Sequence, residues 1–275
     1  MLQGYSFPLT ADGSASLLTA PPWRFAGSVL MVDFTADPDV LARHVPNPMR
    51  VDPEGRCAAV FAQWQWCSAD SREQRDPASS QFSEFLVLVS CYLGDRAVAR
   101  APFAWVDDTL AMTRGWVQGM PKQMGRIGMT HSFDVGDVTP RSRGTGTHFA
   151  RARDSEFLLC EAAVDISHSD VECGGAPPPL HTVPLVHTRH EPPWTGDERP
   201  DRLVLSEVRD VAFSPVVTGP ARLSLGDTPI LADFAPLGVG AGHLFDYSET
   251  LVGGRLVDEG PRLHDPRPID GGISK

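Results

Sequence analysis

Lysine is nearly absent from this chain. Of its 24 Lys+Arg residues, 22 are arginines, and the two lysines are Lys122 and Lys275. A codon bias toward arginine accounts for the 22 but not for Lys122. A guanidinium stays protonated at any usable pH, whereas a desolvated amine can lose its proton and attack a carbonyl. Lys122 stands in the segment RGWVQGMPKQMG, Arg114 to Gly125, beside Met120, Pro121 and Met124. Apolar neighbours exclude water and lower an amine's pKa from about 10.4. Gly119 and Gly125 let the backbone turn sharply and bring a small substrate close. On residues alone the segment is either the loop of a nucleophile or a surface turn with a solvated lysine.

Two carboxylates could serve such an amine. Glu84 interrupts the apolar run FSEFLVLV and faces either solvent or an interior cavity. Glu249 follows Phe245-Asp246-Tyr247 and reads equally as an exposed turn acid. His181, His187 and His190, in HTVPLVHTRH, lack the acidic or cysteine partners of a metal site, so no metal is expected. Gly144-Thr145-Gly146 lacks the strand–GxGxxG–helix setting of a dinucleotide or phosphate loop. Cys57, Cys67, Cys91, Cys160 and Cys173 are odd in number and widely spaced, which fits buried reduced thiols in a cytoplasmic protein.

The elements that must position these residues read mostly as strands. Val29 to Thr35, Cys57 to Cys67, Phe82 to Leu93 and Ala101 to Val106 are rich in apolar and β-branched residues. In the second of these, Gln63 and Gln65 share one face and Trp64 and Trp66 the other. Asp37-Pro38-Asp39 starts a short helix that Pro46-Asn47-Pro48 stops. Thr109 to Val117 forms another, ended by Pro121. Further strands are expected over Arg126 to Phe133, Thr145 to Arg153, Glu156 to Ile166, Leu203 to Phe213 and Ala221 to Leu225. With no repeat and no shift of composition, residues 1–275 read as a single domain. Residues 1–22 form an N-terminal arm and residues 253–275 a Gly/Pro-rich tail. The fold class is α+β, mostly β.

Composition narrows the function. The 275 residues carry a formal net charge of -11 and are 41% hydrophobic, enough for a sizeable core. The acidic balance argues against nucleic acid or an anionic membrane as partner, and no apolar run approaches the roughly 18–20 residues of a membrane span. No secretory signal is visible at the N-terminus. A small anionic substrate in a locally positive pocket stays open.

The segment Gly119-Met120-Pro121-Lys122-Gln123-Met124-Gly125 resembles the Schiff-base lysine motif of the acetoacetate decarboxylase superfamily. Four more landmarks follow that family's order: Ala36 to Leu41 with Val45-Pro46-Asn47-Pro48; Phe82-Ser83-Glu84; Thr218-Gly219-Pro220-Ala221-Arg222-Leu223; and Leu244-Phe245-Asp246-Tyr247. The resemblance implies a curved antiparallel β barrel or cone with a few peripheral helices, assembled into homo-oligomers. It implies that Lys122 forms the imine and that Glu84 lines the site. The departures are informative. Gln123 replaces the second lysine of the family's pair, so desolvation is left as the cause of a lowered Lys122 pKa. The family's first-strand arginine falls at Gly27, with Arg24 close by, and its second acid falls in Phe61 to Gln63, where none is present. Gln118 and Glu249 resemble the branch containing an enduracididine-pathway cyclase and pyruvate aldolase-dehydratases.

A protonated imine is an electron sink. A β-keto acid bound so would lose CO2 to leave an enamine. A 2-oxo acid has its carboxylate on the imine carbon, so loss of a C3 proton is easier, and the enamine can attack an aldehyde and then shed water. The expected activity is therefore a cofactor-free lyase on pyruvate or a related 2-oxo acid and an aldehyde, with β-keto acid decarboxylation as the alternative. Gln118 and Arg24 suit the substrate carboxylate, and Glu84 and Glu249 suit acid/base work.

Overall fold

The computed structural model describes residues 1–140, 142–167, 172–194, 196 and 201–257. Its strands are β1 (Trp23–Thr35), β2 (Met49–Val51), β3 (Arg56–Cys67), β4 (Gln81–Leu93), β5 (Arg96–Val106), β6 (Lys122–Met124) and β7 (Arg126–Met129). They continue as β8 (Thr147–Arg153), β9 (Leu158–Asp165), β10 (Glu172–Gly175), β11 (Val186–Arg189), β12 (Arg202–Phe213), β13 (Val216–Leu225) and β14 (Gly238–Leu256). Among the described residues there are four short helices, α1 (Pro38–Leu41), α2 (Pro77–Ser80), α3 (Thr109–Gln118) and α4 (Pro179–Thr182). The chain is mostly β, as its sequence leads one to expect.

One sheet dominates, in the order β6-β5-β4-β3-β1-β14-β13-β9-β8-β7. It is antiparallel except where β6 runs parallel to β5, placing Lys122 beside Ala104. Among the described residues the path is not hydrogen-bonded into a closed barrel. It curls until its last strand, β7, packs against β3, β4 and β5. The main core fills the inside of that curl, where Phe61, Phe85 and Trp105 stack at centroid distances of 4.7 and 5.6 Å.

Strand β14 is the main departure from expectation. Its 19 residues pair with β1, β12 and β13, and they take Gly253–Leu256 out of the expected tail and into the sheet. Glycines explain why it does not read as a strand: a Cβ on Gly242 would lie 2.4 Å from a Val164 methyl, so the backbone must be bare where β9 crosses it. The rest of the tail, 258–275, lies outside the described residues. So does the Cys173 side chain, whereas Cys57, Cys67, Cys91 and Cys160 are free and buried.

Candidate active site

Helix α3 begins at an Asp108 N-cap, whose carboxylate accepts from the Ala111 N–H at 2.7 Å. Ala111, Arg114, Gly115 and Gln118 then recur at helical spacing on its inner face. Gly119 ends the helix in the left-handed region at φ 95°, and its Cβ would meet the Thr188 carbonyl oxygen at 2.9 Å, so only glycine fits between α3 and β11. The chain then turns through Met120 and Pro121 into β6, and the Trp116 indole donates to the Lys122 carbonyl at 2.8 Å.

This turn drives Lys122 inward: it is 5% exposed, while Pro121, Gln123 and Met124 face out. Its stem lies over Gly115, where a Cβ would come within 2.4 Å of the lysine Cδ. Its Nζ is 2.8 Å from Glu84 Oε1 and 5.3 Å from the Phe82 ring centroid. Phe82, Glu84 and Leu86 alternate onto one face of β4, which settles Glu84 as interior. Its second oxygen accepts from the Trp64 indole at 2.9 Å. Burial is the largest influence on Lys122 and pulls its pKa below the ordinary amine value; Glu84 opposes that and Arg114 reinforces it. Desolvation thus leads, as the Gln123 replacement suggested. A cationic neighbour also contributes, from the helix rather than from position 123.

That neighbour, Arg114, is 1% exposed, and none of its three guanidinium nitrogens has a hydrogen-bond partner. Its Cζ is instead boxed by rings, at 4.3 Å from Trp66, 4.9 Å from Phe25, 5.2 Å from Phe82 and 5.9 Å from Trp23. Burial pushes its pKa down to about 10. Buried guanidinium groups are normally paired; five unfilled N–H donors near the Lys122 amine are chemically able to hold a planar anion.

Glu249 arrives from β14, opposite Phe25 of β1. It is half-buried and accepts a 2.6 Å hydrogen bond from the Tyr247 hydroxyl. Burial raises its pKa and Glu84 raises it further, while Tyr247 pulls it back. Two openings lie to either side of the group. One, about 840 Å3, is lined by Gly27, Gln63, Trp64, Phe82 and Tyr247. The other, about 320 Å3, is lined by Gln118, Trp23, Leu251, Arg189 and Arg202. Along β14, Glu249 falls between the stretches that line the two.

The family model for acetoacetate decarboxylase matches residues 6–260. The chain belongs to the acetoacetate decarboxylase family. The structure is also similar to that of the enduracididine biosynthesis enzyme MppR complexed with pyruvate, at 44% identity and a TM-score of 0.87 over 93% of this chain and 98% of that one. MppR complexed with the condensation product of pyruvate and imidazole 4-carboxaldehyde gives 44% identity and 0.88, covering 93% and 97%. An acetoacetate decarboxylase-like enzyme from Sphingomonas wittichii RW1 gives 25% identity and 0.83, covering 93% and 99%. No curated protein sequence matches.

In this acetoacetate decarboxylase family member, Lys122 touches Glu84, Glu249 is close enough to feel the Glu84 charge, and Gln118 lies one helical turn beyond Arg114, but Arg24 does not join them. Alternation on β1 puts Trp23 and Phe25 against Arg114 and turns Arg24 outward, where it donates to Ser71 Oγ and, at 3.3 Å, to the Ser68 carbonyl. Arg114 is the residue the sequence reading passed over. Its signal was present: an arginine on the apolar stripe of a short helix, eight residues before the lysine. The three histidines separate. His181 packs on Tyr247 at 4.5 Å, His187 bonds Ser206 and His190 bonds Asp201. Among the described residues no group of three or more His, Cys, Asp or Glu could hold a metal, and no helix is long and apolar enough to cross a membrane.

Proposed function

We propose that Lys122 forms a Schiff base with C2 of pyruvate or a related 2-oxo acid, and that the enzyme condenses this imine with an aldehyde and dehydrates the aldol. One observation carries the reading. The buried amine of Lys122 and the unpartnered guanidinium of Arg114 sit 5.3 and 5.2 Å from the same Phe82 ring. A 2-oxo acid offers a carbonyl and a carboxylate on adjacent carbons, which is the complement of that pair. Gln118, on the same helix face as Arg114, supplies a further donor to the carboxylate. MppR, with pyruvate and a pyruvate–aldehyde condensation product bound in its structures, supports the same substrate class.

The steps follow from the groups present. Neutral Nζ attacks C2, and the carbinolamine loses its hydroxyl as water to give the iminium. A carboxylate takes a C3 proton, and the C–H electron pair becomes the enamine. C3 then bonds the aldehyde carbon while the aldehyde oxygen takes a proton. Loss of the second C3 proton and of the new hydroxyl, leaving as water, forms the C3–C4 double bond. Hydrolysis of the imine returns Lys122 and the unsaturated 2-oxo acid. Glu84, in contact with Nζ, serves proton exchange at the amine. Glu249, its pKa raised by burial and its carboxylate aligned by the Tyr247 hydroxyl, serves the C3 and hydroxyl protons.

Incubation with pyruvate or with acetoacetate, borohydride reduction and peptide mapping test this. The expected result is a pyruvate adduct on Lys122 and, with an added aldehyde, an unsaturated 2-oxo acid. Release of CO2 from acetoacetate, with no pyruvate adduct, would overturn it in favour of decarboxylation.

A further inference from the structure

A chain of net charge -11 repels an anionic substrate unless some part of its surface is locally positive. The smaller cavity has that character. It lies between the N-terminal arm, at Tyr5 and Pro21, and the β11–β12–β14 face. Arg189 and Arg202 line it from directly opposite positions of the β11–β12 pair. Among the described residues no carboxylate lines it, and Asp201, next to Arg202, is bonded to His190 at 2.7 Å. Inside the same cavity stands Gln118, and one wall is Trp23, whose ring also lies 5.9 Å from the Arg114 guanidinium. Like charges facing each other across strands destabilise a sheet. Arg126 faces Arg153 across β7 and β8 in the same way, but neither lines this cavity or the larger one, so the pairing by itself is not the argument. What distinguishes Arg189 and Arg202 is the concavity between them and the buried donors behind it.

We propose that this cavity is the way in for the anionic substrate: Arg189 and Arg202 capture its carboxylate at the mouth, and Gln118 relays it to Arg114. The identity of the anion as a 2-oxo acid rests on the function proposed above; the capture of a carboxylate does not. Two flexible, solvated guanidinium groups suit a transient contact, with the tighter one formed by the caged arginine inside.

The test uses the full chain and the double variant Arg189→Gln/Arg202→Gln, with Arg126→Gln/Arg153→Gln as the control of equal charge change. Oxamate, an unreactive isostere of pyruvate, is followed by stopped-flow tryptophan fluorescence, because its binding needs no imine. Its association rate should fall about tenfold in the first variant and change less than about twofold in the control, since steering by such groups is worth about 10–10³ in rate. Most of the salt dependence between about 0.01 and 0.15 M should vanish with it. In borohydride trapping, the second-order rate for pyruvate should fall in parallel, while the rate for neutral acetaldehyde holds.

Equal oxamate association rates in wild type and the first variant, or an equal loss in the control, overturn the proposal. So does inorganic phosphate captured as fast as oxamate through the same arginines, which would mark a general anion site. If oxamate binding depends on the arginines and no imine forms, the capture site stands and the Schiff-base reading falls. If imine forms and oxamate ignores the arginines, the reverse holds.

Discussion

Gly115→Ala separates the fold from the chemistry. In an exposed helix interior, alanine is better than glycine by about 1 kcal/mol, so helix propensity alone predicts a gain in stability. The added methyl, however, would stand 2.4 Å from Lys122 Cδ, 2.6 Å from Cγ and 3.1 Å from Cε. Carbon atoms rest at about 3.5–4.0 Å, so the lysine stem must retreat by about 1 Å. The three nearest atoms all belong to the lysine side chain, whose stem is flexible, so the overpacking cost should stay near the low end of about 1–3 kcal/mol. The retreat carries Nζ away from the Glu84 oxygen that now lies 2.8 Å from it. Misplacement of a reacting atom by about 1 Å costs about 10²-fold in rate. The assay is single-turnover borohydride trapping of pyruvate alongside thermal unfolding. A Tm within a few degrees of wild type and a trapping rate down about 10²-fold are expected. Wild-type trapping in a folded variant would refute the placement of Lys122 over Gly115.

Other outcomes follow from the same site. Lys122→Ala should abolish the trapped adduct, and an adduct that persists would assign the imine elsewhere. Arg114→Met should leave Tm unchanged or raised, because it removes a desolvated, unpaired charge, yet weaken pyruvate binding by about 10–10²-fold through the lost charge-assisted hydrogen bonds; mass-detected titration of the adduct reads this. The pH profile of trapping should inflect below the ordinary amine value of about 10.4. Glu84→Gln should move that inflection lower still, because Glu84 raises the Lys122 pKa, and should also slow imine formation. The folded lysine releases its proton before the unfolded one, so stability rises with pH from the depressed value up to about 10.4, a slope that Lys122→Met should erase in denaturant melts. Glu249→Gln should slow the proton transfers by about 10²–10⁴-fold while leaving the pyruvate imine trappable.

The readable parts of the sequence were those governed by local pattern. The run Phe82 to Leu93 announces β4, and its lone acid finds the interior because Phe82 and Leu86 on the same face are buried. Asp108 and Gly119 bracket α3 with standard caps, within a residue of expectation. Long-range geometry was hidden. Strand β14 carries Glu249, but its glycines answer to Val164 and Asp33 across the sheet, contacts that no local rule reports. Strand β6 is three residues long and parallel to β5, too short for any period. Arg24 and Arg114 exchanged places for a related reason. Type alone favours any arginine near the first strand, whereas strand alternation turns Arg24 outward and helix periodicity turns Arg114 in.

The shortness of β6 has its own consequence for how the nucleophile is held. Strand β6 ends the sheet path and has β5 as its one neighbour there. Apart from that ladder, Lys122 is tied at its backbone by the Trp116 indole and by its own N–H to the Met120 carbonyl. Segments with so few backbone partners open locally at much less than the global unfolding free energy. The amides of Lys122–Met124 should therefore exchange with deuterium well before those of β3 and β4, although the lysine side chain is among the more buried charges. A covalent ligand on Nζ that also engages α3 would staple the strand to the helix. Occupancy of the site would then be written in the exchange rates of three amides, before any turnover is measured.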